Sequence, residues 1–203
     1  MGNGKLYVVS APSGAGKTSL LAEVCSALPN LKIAVSHTTR TTRPGEVDGE
    51  HYHFIGQKEF LAMVKQGDFI EHAEVFGNFY GTSKKSVKSL LDADDNVVLE
   101  IDWQGAQQVR QVFPDVISIF ILPPSIEELE NRLRSRAQDS EEVIAGRMDE
   151  ARSEISHYHE YQFLVINDDM AVAVKELINL FTSPEQFQPP SSEQLEKLLS
   201  SLK

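Results

Sequence analysis

Basic side chains are scarce in this chain: 19 lysines and arginines stand against 30 aspartates and glutamates, a formal net charge of −11. That balance argues against nonspecific attraction to nucleic acid or to an anionic membrane, and neither is expected as a partner. Cysteine is scarcer still. Cys25 is the only one in 203 residues, which rules out an internal disulfide and suits a reducing, cytoplasmic compartment. It falls on the apolar face of the first predicted helix, where a small core residue is preferred to a reactive thiol. No apolar run is long enough to span a membrane. A strand pattern starts so early that no signal peptide is expected. What remains, 41% hydrophobic and 24% charged residues, describes a globular protein able to bury a sizeable core.

Against that background one segment stands out: Ser10-Ala11-Pro12-Ser13-Gly14-Ala15-Gly16-Lys17-Thr18. The apolar run Leu6-Tyr7-Val8-Val9 precedes it, and a helical pattern over 19–24 follows. Strand, glycine-rich turn ending in Gly-Lys-Thr, then helix is the layout of a loop that wraps a nucleoside triphosphate. Its glycines let backbone N–H groups approach phosphate oxygens, and the helix N-terminus adds partial positive charge. In that layout Lys17 reaches the β- and γ-phosphates and the Thr18 hydroxyl ligates Mg²⁺. Ala11 stands where the first glycine is usual, and it fits if the turn there needs no positive φ. The plainer alternative is an ordinary glycine-rich turn between strand and helix.

The first helix, with Leu20, Leu21, Val24 and Leu28 on one face, stops near Pro29-Asn30. Beyond it, short extended runs at 33–36, 51–55 and 69–73 alternate with glycine-containing turns. One helix, around 58–66, is closed by Gly67, so this region reads as a small, mostly β insertion. Runs 96–102, 116–122 and 163–166 are continuous and apolar and are separated by helical patterns. They predict a parallel sheet covered on both faces. Ser125 and Glu128 form a capping box, and a further helix starts near Asp139 and Ser140. Val174, Leu177, Ile178 and Phe181 mark the last core helix. A polar stretch, 183–192, then leads to a short amphipathic helix over 193–202, which reads as a packing or oligomer contact or as a frayed end.

Because cations are few, their grouping carries information. Arg40 and Arg43 lie three residues apart in an extended, hydroxyl-rich segment, a pairing that suits a bidentate clamp for a second phosphate. Tyr52 and Tyr80 offer hydroxyl donors, and Glu71 sets a carboxylate inside an apolar strand. Taken singly, each favours a plainer reading: solvated surface arginines, and a Glu71 on the outer face of an edge strand. Arg132, Arg134, Arg136 and Arg147 concentrate charge after Pro124. Interleaved with Glu127, Glu128, Glu130, Glu141 and Glu142, they also fit ordinary helix-surface ion pairs.

Taken together, the chain resembles guanylate kinases, enzymes that move a phosphate from ATP to GMP. The resemblance runs from about Gly4 to Phe181. It is carried by Ser36-His37-Thr38-Thr39-Arg40, Arg43-Pro44-Gly45-Glu46, Gly49-Glu50-His51-Tyr52 and Phe69-Ile70-Glu71. It continues through Gly77-Asn78-Phe79-Tyr80-Gly81-Thr82, Asp102-Trp103-Gln104-Gly105, Leu133-Arg134-Ser135-Arg136, Arg147 and Asn167-Asp168-Asp169.

The resemblance implies an α/β fold: a three-layer phosphate-loop NTPase core with a parallel sheet (1–32, 97–124 and 161–182) within a domain of about 4–182. A small mixed α/β GMP-binding insertion (33–96), a helical lid (125–160) and a tail (183–203) complete it. It also implies roles. Ala11, Pro12, Ser13, Gly14, Ala15, Gly16, Lys17 and Thr18 bind ATP, with Arg132 and Asn167 beside the adenine. Arg40, Arg43, Tyr52 and Tyr80 hold the GMP phosphate, while Ser36, Glu71 and Thr82 read the guanine. Glu100 and Asp102 serve either GMP or a hydrated Mg²⁺. Arg136 and Arg147 swing over the transferring phosphoryl group and, with Lys17 and Arg43, are the catalytic cations. Ala137 stands where relatives often have glycine, so the helix break after Arg136 must tolerate a Cβ. Mg²⁺ is the implied cofactor, ATP and GMP or dGMP the implied ligands, and a homo-oligomer is left open. Two rival functions remain: a non-catalytic guanylate-kinase-like interaction module, and a related kinase with a non-guanine acceptor. The first would be expected to lose Lys17 or the lid arginines, and the second has no use for Glu71 and Thr82.

Overall fold

A computed structural model describes residues 4–75, 77–135 and 141–200. The expected catalytic Arg136, together with Ala137 and the helix start at Asp139 and Ser140, lies outside the described residues. Among the described residues no helix is long and apolar enough to cross a membrane. The fold is α/β. One sheet of five strands has the order β2 (Leu31–Ile33), β7 (Asn96–Glu100), β1 (Leu6–Ser10), β8 (Ile117–Leu122), β9 (Phe163–Ile166). The β2–β7 and β8–β9 pairs are parallel. Tyr7 to Ser10, Val97 to Leu99 and Ser118 to Leu122 are buried without interruption, which is why these segments read as apolar runs rather than alternating ones.

A second, four-stranded sheet has the order β4 (His53–Phe54), β3 (His37–Thr38), β6 (Asn78–Ser83), β5 (Phe69–Val75). The extended run expected at 33–36 is a crossover between the sheets. The Ala34 N–H still donates to the Val98 carbonyl, while the Ser36 carbonyl already accepts from the His53 N–H. The run expected at 51–55 shortens to the two residues of β4. Strand β6 and helix α3 (Lys84–Asp92) follow without a break, and the Ser83 side chain caps the helix by accepting from the Ser86 N–H.

The chain divides into two compact units, one holding residues up to Val8 with Asn30–Ile117, the other Val9–Pro29 with Ser118 onward. In the first unit, Phe60 of α2 (Gln57–Gln66) is fully buried and stacks on Phe69 and Phe79, with ring centroids 4.6 and 5.5 Å apart. Helix α4 (Trp103–Val112) packs on β5. Strand β7 ends at Glu100 rather than running to 102. Asp102 is instead the N-cap of α4, its Oδ1 accepting from the Gly105 N–H at 2.7 Å.

In the second unit, α1 (Lys17–Ala27) packs against α7 (Met170–Thr182), and Cys25, expected in the core, is half-buried. At the start of α5 (Ile126–Ser135), Ser125 Oγ caps the Glu128 N–H at 3.0 Å. The Glu128 carboxylate turns to Arg132 Nε at 2.8 Å rather than back to the cap, so only half of the capping box forms. The tail is packed: Phe187 meets Phe163 edge-on at 5.5 Å, and Leu198 of α8 (Ser192–Ser200) is buried.

Gly67 ends α2 in the left-handed region at φ 71, and nothing lies within 4 Å of where its Cβ would be. The cost of a side chain there is therefore conformational alone. Gly67→Ala is expected to lose about 1–2 kcal/mol of stability, read as a lower urea midpoint with an unchanged m-value.

Candidate active site

The loop after β1 is shaped by close packing on its inner side. Gly14 and Gly16 adopt φ 91 and 89, whereas Ala11 is not among the positive-φ residues, so its side chain costs the turn nothing. A Cβ on Gly14 would lie 3.0 Å from both Leu129 and Leu133, buried residues of α5. A Cβ on Gly16 would lie 2.6 Å from Asn167 Nδ2. That amide donates to the Ala15 carbonyl at 2.8 Å and is buried. The Ser13 N–H donates to Glu154 Oε2 at 3.0 Å, from α6 (Glu141–Ser156). The loop is thus held by the amide of Asn167 and by the Glu154 carboxylate, of which only the first falls within a sequence motif. Pro12 is buried as well, and α1 starts at Lys17 with no acidic residue in its first turn. Its N-terminal dipole is therefore uncompensated by the helix's own side chains.

Lys17 is half-buried, and the Thr18 residue beside it is exposed. Arg132 donates through Nη2 to the Asn167 carbonyl at 3.1 Å, so the two residues expected beside adenine touch each other. Arg147 is half-buried on α6, where its charge opposes the effect of burial, which holds the Glu150 carboxyl above its usual range. Arg134, by contrast, is an exposed ion-pair hub between Glu130 and Glu141. Among the described residues no group of three His, Cys, Asp or Glu side chains is arranged to hold a metal.

The first unit carries a different constellation. Glu71, 3% exposed, accepts a hydrogen bond from the Thr82 hydroxyl at 2.6 Å. Ser36 Oγ lies 2.9 Å from Thr82 Oγ1. Because the single Thr82 proton is committed to the carboxylate, Ser36 is the donor in that pair. A bulge creates the alignment. Phe69 pairs with Ser83, but the register then shifts so that Glu71, not Ile70, faces Thr82. The extra residue in β5 re-aims the carboxylate, as bulges do.

Arg40 is gripped by Glu46, Nη1 to Oε2 at 3.0 Å and Nη2 to Oε1 at 2.7 Å. Its Nη1 also donates to the Thr41 carbonyl at 2.7 Å. Glu46 Oε2 accepts from the Arg43 N–H at 2.7 Å as well, so one carboxylate fixes the backbone between the two arginines. The Arg40 hydrogen bonds hold the Glu46 carboxyl below its usual range. The Arg40 guanidinium lies 5.5 Å from the Tyr52 ring centroid, and the Tyr52 and Tyr80 rings are 6.0 Å apart. Burial, reinforced by the negative charge of Glu100, pushes the Tyr52 hydroxyl up to about 12. It therefore stays a proton donor at neutral pH. The structure thus brings together Arg40, Tyr52 and Tyr80 as one cluster and Ser36, Glu71 and Thr82 as another. Arg43 is exposed, Glu100 half-buried, and Asp102 is engaged as a helix cap. Glu46 and Glu154 were the groups missed by sequence reasoning. Glu46 sits inside a quoted motif, but no spacing rule announces a carboxylate that orients an arginine.

The family model described as guanylate kinase matches residues 3–184. The guanylate kinase of Pseudomonas fluorescens is 53% identical over 199 residues, covering 98% of this chain and 97% of that one. That of Vibrio cholerae is 51% identical over 204 residues, covering 100% and 99%. Among solved structures, the crystal structure of guanylate kinase from Anaplasma phagocytophilum aligns with a TM-score of 0.73 at 36% identity, covering 90% of this chain and 87% of that one.

Truncating Asn167 removes the buried donor to Ala15 and leaves a carbonyl unsatisfied. Asn167→Ala should cost about 1–3 kcal/mol, a drop of several degrees in Tm measured without nucleotide.

Proposed function

The chain belongs to the guanylate kinase family, and we infer that one of its two constellations binds the phosphoryl donor and the other the acceptor. The enzyme transfers the γ-phosphate of ATP to GMP, giving ADP and GDP. The observation that carries the acceptor reading is the buried Ser36–Thr82–Glu71 chain. A carboxylate this deeply buried needs hydrogen-bond donors. Thr82 supplies one, and a carboxylate has the acceptor capacity to take the N1–H and exocyclic amine of guanine as well. Adenine presents an acceptor at N1 and would leave the carboxylate unpaired. Sites built on such pairing discriminate by about 10⁴-fold or more.

Arg40, Arg43, Tyr52 and Tyr80 would bind the GMP phosphate. Three of the five Arg40 donors are engaged by Glu46 and Thr41. Nε–H and one Nη2–H are not taken by Glu46, and that side-on pair suits a second, bidentate anion. Glu46 then holds the guanidinium in orientation rather than competing for it. Ala11 to Thr18 would bind the ATP phosphates, with Lys17 on the β- and γ-phosphates and Arg132 and Asn167 toward adenine. Dinucleotide closure aside, Glu100 and Asp102 serve GMP or the solvent around Mg²⁺.

The donor set fits Mg²⁺: a single hydroxyl, Thr18, at the loop's end, with phosphate and water oxygens supplying the rest. When bound, the ion neutralises charge on the β- and γ-phosphates. The transition state is loose, so the protein's contribution is alignment and positive charge from Lys17, Arg43, Arg136 and Arg147. No general base is needed, because the GMP phosphate is already an anion. The roles divide accordingly, with the insertion 33–96 reading the acceptor and 125–160 acting as the lid over the transferring phosphoryl. The lone thiol, Cys25, accords with a cytoplasmic enzyme.

ADP formation from ATP should be seen with GMP and dGMP and be at least a thousandfold slower with AMP, CMP or UMP, by analogy with sites built on a buried hydrogen-bond pairing. Equal rates with AMP would overturn the assignment of Glu71. Lys17→Met should cost about 10²–10⁴ in kcat, on the scale of removing one preorganised electrostatic group, with the far-UV circular dichroism unchanged. A loss under tenfold would remove Lys17 from the catalytic set.

A further inference from the structure

Gly105 sits in the first turn of α4, and it is buried. Its φ is not positive, so the backbone does not require glycine there. Glycine is also a poor helix former, so local propensity does not favour it. What it provides is space. A Cβ at 105 would lie 2.6 Å from Glu71 Oε2 and 3.2 Å from Glu71 Cδ, closer than side chains tolerate.

Neither partner has room to withdraw. Glu71 Oε1 is tethered to the Thr82 hydroxyl at 2.6 Å. The Gly105 N–H is tied to Asp102 Oδ1 at 2.7 Å, which fixes the first turn of α4. One residue beyond Glu71, the His72 N–H donates to Gln108 Oε1 at 3.1 Å, and Gln108 Nε2 donates to the His72 carbonyl at 2.8 Å. That pair of bonds locks β5 to α4 at the level of the carboxylate. With Oε1 tethered to Thr82 and Oε2 beside the space that a Cβ at 105 would fill, the plane of the carboxylate is set by these two neighbours.

We propose that Gly105 is a positioning residue for acceptor specificity: its missing side chain is the seat that sets the plane of the Glu71 carboxylate and hence the preference for a guanine base. The proposal rests on the assignment of Glu71 as the guanine reader. A methyl group at 105 displaces Oε2 while Thr82 retains Oε1, so the carboxylate rotates and no longer meets two coplanar donors. The contact to the exocyclic amine and the contact to N1–H cannot then both be kept.

The test compares GMP with inosine monophosphate, which keeps N1–H and lacks the exocyclic amine. Gly105→Ala should lower kcat/KM for GMP at least tenfold, mainly through KM, and lower it less for inosine monophosphate. The ratio of the two should shrink at least fivefold, with the KM for ATP within twofold of the parent. A double-mutant cycle isolates the mechanism. Glu71→Asp draws the carboxylate back by one methylene, so Gly105→Ala added to Glu71→Asp should cost less than threefold in kcat/KM for GMP. Equal losses for both acceptors, or the same cost in both backgrounds, would overturn the proposal. If Gly105→Ala alone does not fold, recovery of folded protein in the double variant supports the proposal, and no recovery overturns it. Glu71→Gln separates the two levels of the argument. If it leaves the GMP preference intact, the guanine reading itself fails. If it abolishes the preference while Gly105→Ala does not change it, only the role of Gly105 fails.

Discussion

A carboxylate buried to 3% exposure organises the acceptor unit. Taking Glu71 out of water is costly unless donors replace the lost hydration, and the surrounding structure supplies and aims them. The bulge in β5 turns Glu71 toward Thr82, Thr82 donates to it, and Ser36 donates to Thr82 in turn. Beside Oε2, Gly105 leaves space where a side chain would intrude. The hydroxyl chain orients the carboxylate. With Glu71 as the guanine reader we propose, burial and specificity have one cause: the desolvation that makes an unpaired carboxylate costly also makes the wrong base costly.

The second constraint is charge. A chain with a net charge of −11 must bind two polyanions, and it does not do so by accumulating free cations. Arg40 is held end-on by Glu46 within a half-buried pair, 11% and 15% exposed at the side chains. The pairing lowers the net charge at that point but fixes a planar fork, and orientation is what a bidentate contact needs. Arg134 shows the contrast. It has two carboxylate partners, yet its side chain is 41% exposed, where such pairs contribute little. In the donor unit, the backbone does much of the work. The N-terminus of α1 presents partial positive charge with no acidic residue in its first turn to offset it.

Legibility in the sequence followed the physics of each element. Strands β1, β7 and β8 were readable because burial on both faces demands unbroken apolar runs, and β9 reads the same way although only Val165 of it is fully buried. Helix α2 was readable because its closing glycine has a conformational reason to be there. Strand β6, rich in polar residues and glycine, was not, and neither was α3, which begins where β6 ends. Periodicity fails where one segment serves two sheets, as 33–36 does between Val98 and His53. Among the candidate site residues, Lys17 and Thr18 stand out by local spacing, whereas Arg40, Arg43 and Glu71 favour a plainer reading singly and gain weight only in combination. Glu46, Glu154 and the amide of Asn167 act only across loops or over long sequence separations, up to 152 residues for Asn167 and Ala15. Nothing local announces such a partnership.

The glycines separate two kinds of constraint that look alike in a sequence. Gly16 combines both: a left-handed φ of 89 and an amide nitrogen 2.6 Å from where a Cβ would be. Ala11 is subject to neither, so the departure from the usual loop pattern is physically silent. Gly105 carries only the steric demand, and it is imposed by a residue 34 positions earlier in the chain. A glycine kept for φ serves the loop it belongs to. One kept for space serves its neighbour, and its effect is felt wherever that neighbour acts. The glycines of the phosphate loop carry both demands at once, a positive φ and close neighbours, and so shape the loop itself. With Glu71 as the guanine reader we propose, the other unit narrows the choice to one base by placing a carboxylate against a residue that has no side chain to move.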